Sequence, residues 1–234
     1  MSNEINFDTY FYISSKKIKI SIKQKDNLKS LFEEEMPLSK NGDKFNNEYV
    51  DSFLDENILK IEKSLNNFIK NVFLIIEHED FFTFKMSIKK EYYGELFTSD
   101  NLIYLLNEAR QQTKKTIEKK KIIHMLIDGY LIDNQYHQFL PKDFKCNDFS
   151  IDVRFICLSD IFIKNLENIF KKYHISISQI ISANYINEFH SKSDQDIFCL
   201  TSKIVGGYNQ NEVFIEDKPR KNKGFFEKFF YIFN

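Results

Sequence analysis

Residues Ile122 to Asp133 read IIHMLIDGYLID. An apolar, β-branch-rich run of this length is a buried strand, closed here by turn-forming Asp and Gly. Downstream, after a turn-rich insert through Pro141, comes Phe149–Ser159, FSIDVRFICLS. In it Ile151, Val153, Phe155 and Cys157 alternate with Asp152, Arg154 and Ile156, the two-residue period of a second strand. A helix is predicted over Asp160–Tyr173, with Ile161, Ile163, Leu166, Ile169 and Phe170 inward and Lys171-Lys172 at the last turn.

Upstream of Ile122, Thr98-Ser-Asp signals a helix start, with Ser99 or Asp100 as the acceptor for the first free N–H groups. Leu102, Ile103, Leu105, Leu106 and Ala109 form its apolar face. The basic run Lys114–Lys121 that ends it reads as solvated charge offsetting the helix dipole. Before that helix, Phe82–Ile88 alternates as a strand. The middle of the chain is thus strand, helix, strand, strand.

Further out, TYFYIS and KKIKISIK predict a hairpin turning at Ser15-Lys16, with Ile18, Ile20 and Ile22 on the buried side. Residues 25–47 are polar and predict a loop. Val50, Phe53, Leu54, Ile58, Ile61, Leu65, Phe68 and Ile69 recur at three and four, an amphipathic helix, and VFLIIEH after it is a buried strand. ISQIISANYINEF predicts a strand running into a short helix, and DIFCLTSKIVGG with EVFIED a terminal strand pair.

The 234 residues carry 33 basic against 34 acidic side chains, so no global field attracts nucleic acid. Cys146, Cys157 and Cys199 are odd in number and lie in apolar contexts, the pattern of reduced structural thiols. The opening MSNEINFD is polar and acidic, which predicts a cytoplasmic body without a signal peptide. Catalytic signals are sparse. None of His78, His124, His137, His174 and His190 has metal-ligand spacing to another, and six glycines leave no phosphate-binding loop. The expectation is no enzyme, no cofactor and no metal. A rival reading places a small active site at His124, Asp128 and Asp133, where paired carboxylates beside an imidazole could move a proton.

Ile123-His124, Tyr130, Ile132-Asp133, Val153–Leu158, Lys164-Asn165-Leu166 and Ile175–Tyr185 occur in an order that resembles the bacterial actin-like cell-division protein FtsA, in its inserted SHS2 subdomain. The proline usual after the His-containing strand is replaced by Ile127-Asp128. FYISSKKIKISI resembles, in type, the first phosphate hairpin of that family, but Tyr12 stands where the family has Asp and Ser14 where it has Gly. An aromatic ring cannot organise Mg²⁺, and a Cβ at Ser14 hinders backbone approach to a phosphate. The resemblance implies an α+β fold: a partial actin-like (ribonuclease H-like) domain with an inserted SHS2 (strand-helix-strand-strand) subdomain. It implies residues 1–80 as the remnant of the first subdomain, 81–175 as the insert, 176–216 as the return to the actin-like sheet and 217–234 as a basic linker and membrane helix. The chain stops where the family continues into a second domain, so the expectation is a truncated relative without a complete ATP site.

Members of that family finish on an amphipathic helix at the inner face of the cytoplasmic membrane. Here KPRKNKGFFEKFFYIFN places Lys218, Arg220, Lys221 and Lys223 before Phe225, Phe226, Phe229, Phe230, Ile232 and Phe233, with Glu227 and Lys228 on the other side of a helical arc. Each apolar side chain would contribute about 1.5–3 kcal/mol at the headgroup boundary, and each cation about 1 kcal/mol near anionic lipid. The resemblance implies a non-catalytic, membrane-tethered scaffold at the division site. Its partners would be division proteins such as FtsZ or later septal proteins, or further copies of itself, and the sheet edge and the Leu102–Ala109 helix would be its contact surfaces. A pilus-assembly membrane adaptor and a soluble interaction module are the alternatives.

Overall fold

The structure, a computed structural model, describes residues 6–38, 46–189 and 196–214. Two compact units share the chain. One comprises the chain through Phe81 together with Leu158–Tyr208, and the other comprises Phe82–Cys157 together with the segment from Asn209.

In the first unit, β1 (Phe7–Ile13), β2 (Lys17–Gln24) and β3 (Ser30–Pro37) form an antiparallel meander. β3 lies within the stretch expected to be a loop. Its sequence, SLFEEEMP, has no strand alternation of its own. Cross-strand pairs hold it: Glu33 meets Lys19 and Lys23, and Glu35 meets Lys17. The helix α1 (Asn47–Leu65) is capped by Asn46, whose side chain accepts from Glu48 N–H, and it stops at Asn66 in the left-handed region. It leads to β4 (Asn71–Ile76), parallel to β1.

The chain then leaves for the second unit and returns through α3 (Asp160–Lys172) to β9 (Ser176–Ser182), parallel to β4. Two short helices follow, α4 (Ala183–Phe189) and α5 (Ile197–Val205). The sheet order is β3-β2-β1-β4-β9. An antiparallel meander continuing into parallel strands, with helices on both faces, is the arrangement that the resemblance implies for a partial actin-like (ribonuclease H-like) domain.

Phe11 sets one face of this sheet, edge-on to Phe53 of α1 and Phe170 of α3 with ring centres 5.6 and 5.1 Å away. Tyr10, its neighbour on β1, points to the opposite face, where it meets Phe198 of α5 at 6.1 Å. The stretch containing α5 was expected to be a strand. Phe198, Leu200, Thr201 and Ile204 are buried, and Gly206-Gly207 ends a helix where a hairpin turn was expected.

In the second unit, β5 (Phe82–Leu96) is followed by α2 (Ser99–Thr116), β6 (Lys120–Ile132), the three-residue β7 (Gln135–His137) and β8 (Lys145–Ser159). They form a four-stranded sheet ordered β5-β8-β6-β7. The insert is therefore strand-helix-strand-strand with one short extra hairpin strand. It closes at Cys157, so α3, carried in the expected 81–175 insert, belongs to the first unit. Thr98, not Ser99 or Asp100, caps α2: Thr98 Oγ1 accepts from Asn101 N–H, and Asn101 Oδ1 accepts from Thr98 N–H at 2.8 Å. Leu102, Leu105, Leu106 and Ala109 are buried with Phe149, Ile151, Val153 and Phe155 in this unit's own core. That face of α2 is consequently not a surface for partners. β5, whose outer side faces no other strand of the sheet, remains its edge.

Candidate functional site

Open sheets with parallel strands bind ligands beyond the carboxyl ends of those strands. In the first unit those ends are Ile13 of β1, Ile76 of β4 and Ser182 of β9. Tyr12, nearly buried, sits at this edge, and its hydroxyl donates to Oε2 of Glu77, the residue after β4. Burial raises the phenol's pKa, and the Glu77 contact adds to the shift, so the hydroxyl stays protonated and keeps one oxygen of the carboxylate engaged.

The turn between β1 and β2 is satisfied from within. Ser14 Oγ accepts the N–H groups of Lys16 at 3.2 Å and Lys17 at 3.1 Å, and donates to the Lys17 carbonyl at 3.1 Å. Ser14 N–H also donates to that carbonyl, at 3.0 Å. Two of the amides that a phosphate would need are thus engaged by a buried serine. The two departures noted in the sequence, Tyr12 and Ser14, fall together here, one holding the carboxylate and the other the amides.

At the opposite end of the same sheet a cavity of about 560 Å³ is lined by residues including Asn6, Asp8, Thr9, Lys25, Lys70 and Ser178. Its Lys25 and Asp8 pair with each other at 3.3 Å.

The His124, Asp128 and Asp133 set does not converge. His124 is buried and its Nδ1 lies 2.7 Å from Oε1 of Glu212, itself buried. Asp128 binds Lys85 at 2.8 Å and Arg154 at 3.1 Å. Asp133, in the left-handed region, accepts the N–H groups of Asn147 and Asp148, both at 2.8 Å. One closes a core, one ties three strands and one shapes a turn. Glu212 is the partner the sequence reading missed, because 88 residues separate it from His124. Among the described residues no group of three or more His, Cys, Asp or Glu is placed to hold a metal ion.

Cys146 and Cys157 are buried and Cys199 half-buried, all three free. Burial pushes the Cys157 thiol up to about 11, which makes it a poor nucleophile at neutral pH. The ten residues expected to bind membrane, Lys218, Arg220, Lys221, Lys223, Phe225, Phe226, Phe229, Phe230, Ile232 and Phe233, lie outside the described residues. Among the described residues no helix is long and apolar enough to cross a membrane.

No protein-family model matches the chain, and no curated protein does. Among solved structures it is similar to the PilM–PilN type IV pilus biogenesis complex, at 7% identity and TM-score 0.45, over 78% of this chain and 49% of that one. It is also similar to the cytoplasmic domain of EpsL, an inner membrane component of the Vibrio cholerae type II secretion system, at 9% identity and TM-score 0.37, over 77% and 57%. A third is a Bacteroides thetaiotaomicron protein of actin-like ATPase fold and unknown function, at 14% identity and TM-score 0.33, over 80% and 57%. The chain spans about half the length of these neighbours.

Proposed function

We propose that this protein is a non-catalytic scaffold: an actin-like frame that works through protein contacts and is held peripherally at the inner face of the cell membrane by its C-terminal aromatic segment. One observation carries the non-catalytic half of the reading. At the strand ends where this fold class places a nucleotide, the Tyr12 hydroxyl occupies the Glu77 carboxylate while Ser14 takes the turn amides. One oxygen of that carboxylate and two amides of the turn are thereby committed within the protein. The membrane half rests on sequence, on the four cations preceding the aromatic arc of Phe225–Phe233. The order of segments that resembles FtsA favours the division machinery as the setting, with division proteins or further copies of the chain as partners.

The experiment is localisation of a fluorescent fusion of the full chain and of a version ending at Lys223. A membrane signal concentrated at the division site and lost on truncation is the expected result. Membrane signal away from that site would instead favour a pilus or secretion adaptor. A diffuse signal from both forms would overturn the tether and leave a soluble interaction module.

A further inference from the structure

The basic run Lys114–Lys121 takes no part in the function proposed above. Its sequence, KKTIEKKK, sets five lysines against Glu118 alone. Dipole compensation accounts only for cations in the last turn of a helix, and α2 ends at Thr116. Lys119, Lys120 and Lys121 lie beyond it. All five lysines are exposed. They project from ordered elements: the turn Glu118-Lys119 joins α2 to β6, Ile117 packs against the unit's core, and Ile117 N–H donates to the Thr113 carbonyl at 2.9 Å. Phe82, the exposed first residue of β5, lies at this same corner, with Lys120 Nζ 5.6 Å from its ring centre.

A second observation gives the corner a direction. The segment Asn211–Val213 runs antiparallel to β6: Glu212 bridges Leu126, Ile127 N–H donates to Asn211, and Val213 N–H donates to Met125, both bonds at 2.8 Å. The buried His124–Glu212 pair fastens it. As its numbers rise, this strap moves toward the beginning of β6. From Met125 back to Lys121 is about 13 Å along a strand. Val213, the strap's last residue paired with β6, therefore stands nearer the lysine corner than Asn211.

We propose that the α2–β6 corner, Lys114, Lys115, Lys119, Lys120 and Lys121, is a second contact with anionic lipid headgroups that acts together with the C-terminal segment. This rests on the membrane reading above. Two weak contacts joined by a short strap reinforce each other, because once one has engaged, the other is confined near the surface. Near an anionic bilayer each lysine adds electrostatic attraction that salt screens, and Phe82 offers an apolar ring at the same level. Lipid is favoured over nucleic acid because an exposed apolar ring, Phe82, stands beside the lysines and the chain as a whole is close to neutral.

The test is flotation with vesicles of mixed phosphatidylcholine and phosphatidylglycerol, and of phosphatidylcholine alone, at low and high salt, with duplex DNA binding measured in parallel. Four proteins are compared: the parent, a variant with all five lysines changed to Gln, one with all five changed to Arg, and the chain ending at Lys223. The expected result is at least about tenfold weaker partitioning of the Gln variant to the anionic vesicles, restored in the Arg variant, with binding to neutral vesicles unchanged. Parent-like binding by the Gln variant would overturn the corner; loss on truncation alone would then leave the tether standing. Binding that survives truncation but not the Gln changes would keep the corner and remove the tether. No vesicle binding by the parent, or lysine-dependent binding to DNA alone, would overturn the proposal. If the Gln variant melts below the parent, the Arg variant decides: loss of binding there contradicts a headgroup contact, and retention supports it.

Discussion

β2 and β5 carry nearly the same signal and end in different surroundings. On β2, Lys19, Ser21 and Lys23 alternate with isoleucines; on β5, Lys85, Ser87 and Lys89 alternate with Phe84, Met86 and Ile88. Each triplet faces carboxylates on other strands of its sheet: Glu33 for β2, and Asp128, Asp152 and Asp148 for β5. Yet the Lys23 side chain is 7% exposed and that of Lys85 71%. What separates them is α5. It lays Phe198 over β2, within 5.2 Å of Lys19 Nζ and 5.9 Å of Lys23 Nζ, and brings Asp196 to Lys23 at 3.2 Å. A two-residue period therefore identifies the core face of a strand but not whether the other face meets water.

The core faces should respond alike. Phe11→Ala in the first unit and Phe149→Ala in the second each remove a fully buried ring and should each cost about 3–5 kcal/mol, measured by denaturant unfolding. A mild effect of either would mean that its helix layer is loosely packed. On the other faces the responses should part. Lys23→Met keeps the stem but strips the charge that Glu33 and Asp196 share, at a cost of about 1–3 kcal/mol. Lys89→Met, on an exposed pair, should stay within about 0.5 kcal/mol. Equal effects would contradict the burial contrast.

The gentlest probe is pH. Burial alone would raise the Glu33 carboxyl, but hydrogen bonds from Lys19 and Ser30, with the Lys19 charge and Lys23, outweigh it and lower the pKa from 4.5 to about 2. A depressed carboxylate favours the folded state above the unfolded value, and that contribution is lost as pH falls from about 4.5 toward 2. The parent should therefore lose more stability than Glu33→Gln across that window, in thermal melts at matched salt. Parallel curves would show that Glu33 is not held this way.

Most of the frame was legible because its helices and strands announce themselves through periodicity. The three-four spacing from Val50 to Leu65 became α1, which stops at Asn66 and leaves Phe68 and Ile69 outside the helix, and the alternation of Ile151 to Cys157 became β8. Two elements were missed for the same reason. β3 is a strand because Lys17, Lys19 and Lys23 wait on β2, and α5 is a helix because one side of it covers the polar face of β2. Both depend on partners remote in sequence, which no local window contains. The candidate site divides in the same way. Tyr12 and Ser14 were readable as departures from a phosphate hairpin, whereas their engagement with Glu77 and with the turn amides required the fold. His124 was visible as a histidine in an apolar strand, and its partner Glu212 was not.

The proposed role, contact without nucleotide chemistry, is tested most directly by calorimetric titration of the full chain with Mg–ATP. The prediction is no saturable heat, with Tyr12→Phe behaving the same, since losing the hydroxyl frees Glu77 but not the amides held by Ser14. Stoichiometric, saturable binding by the parent would contradict it.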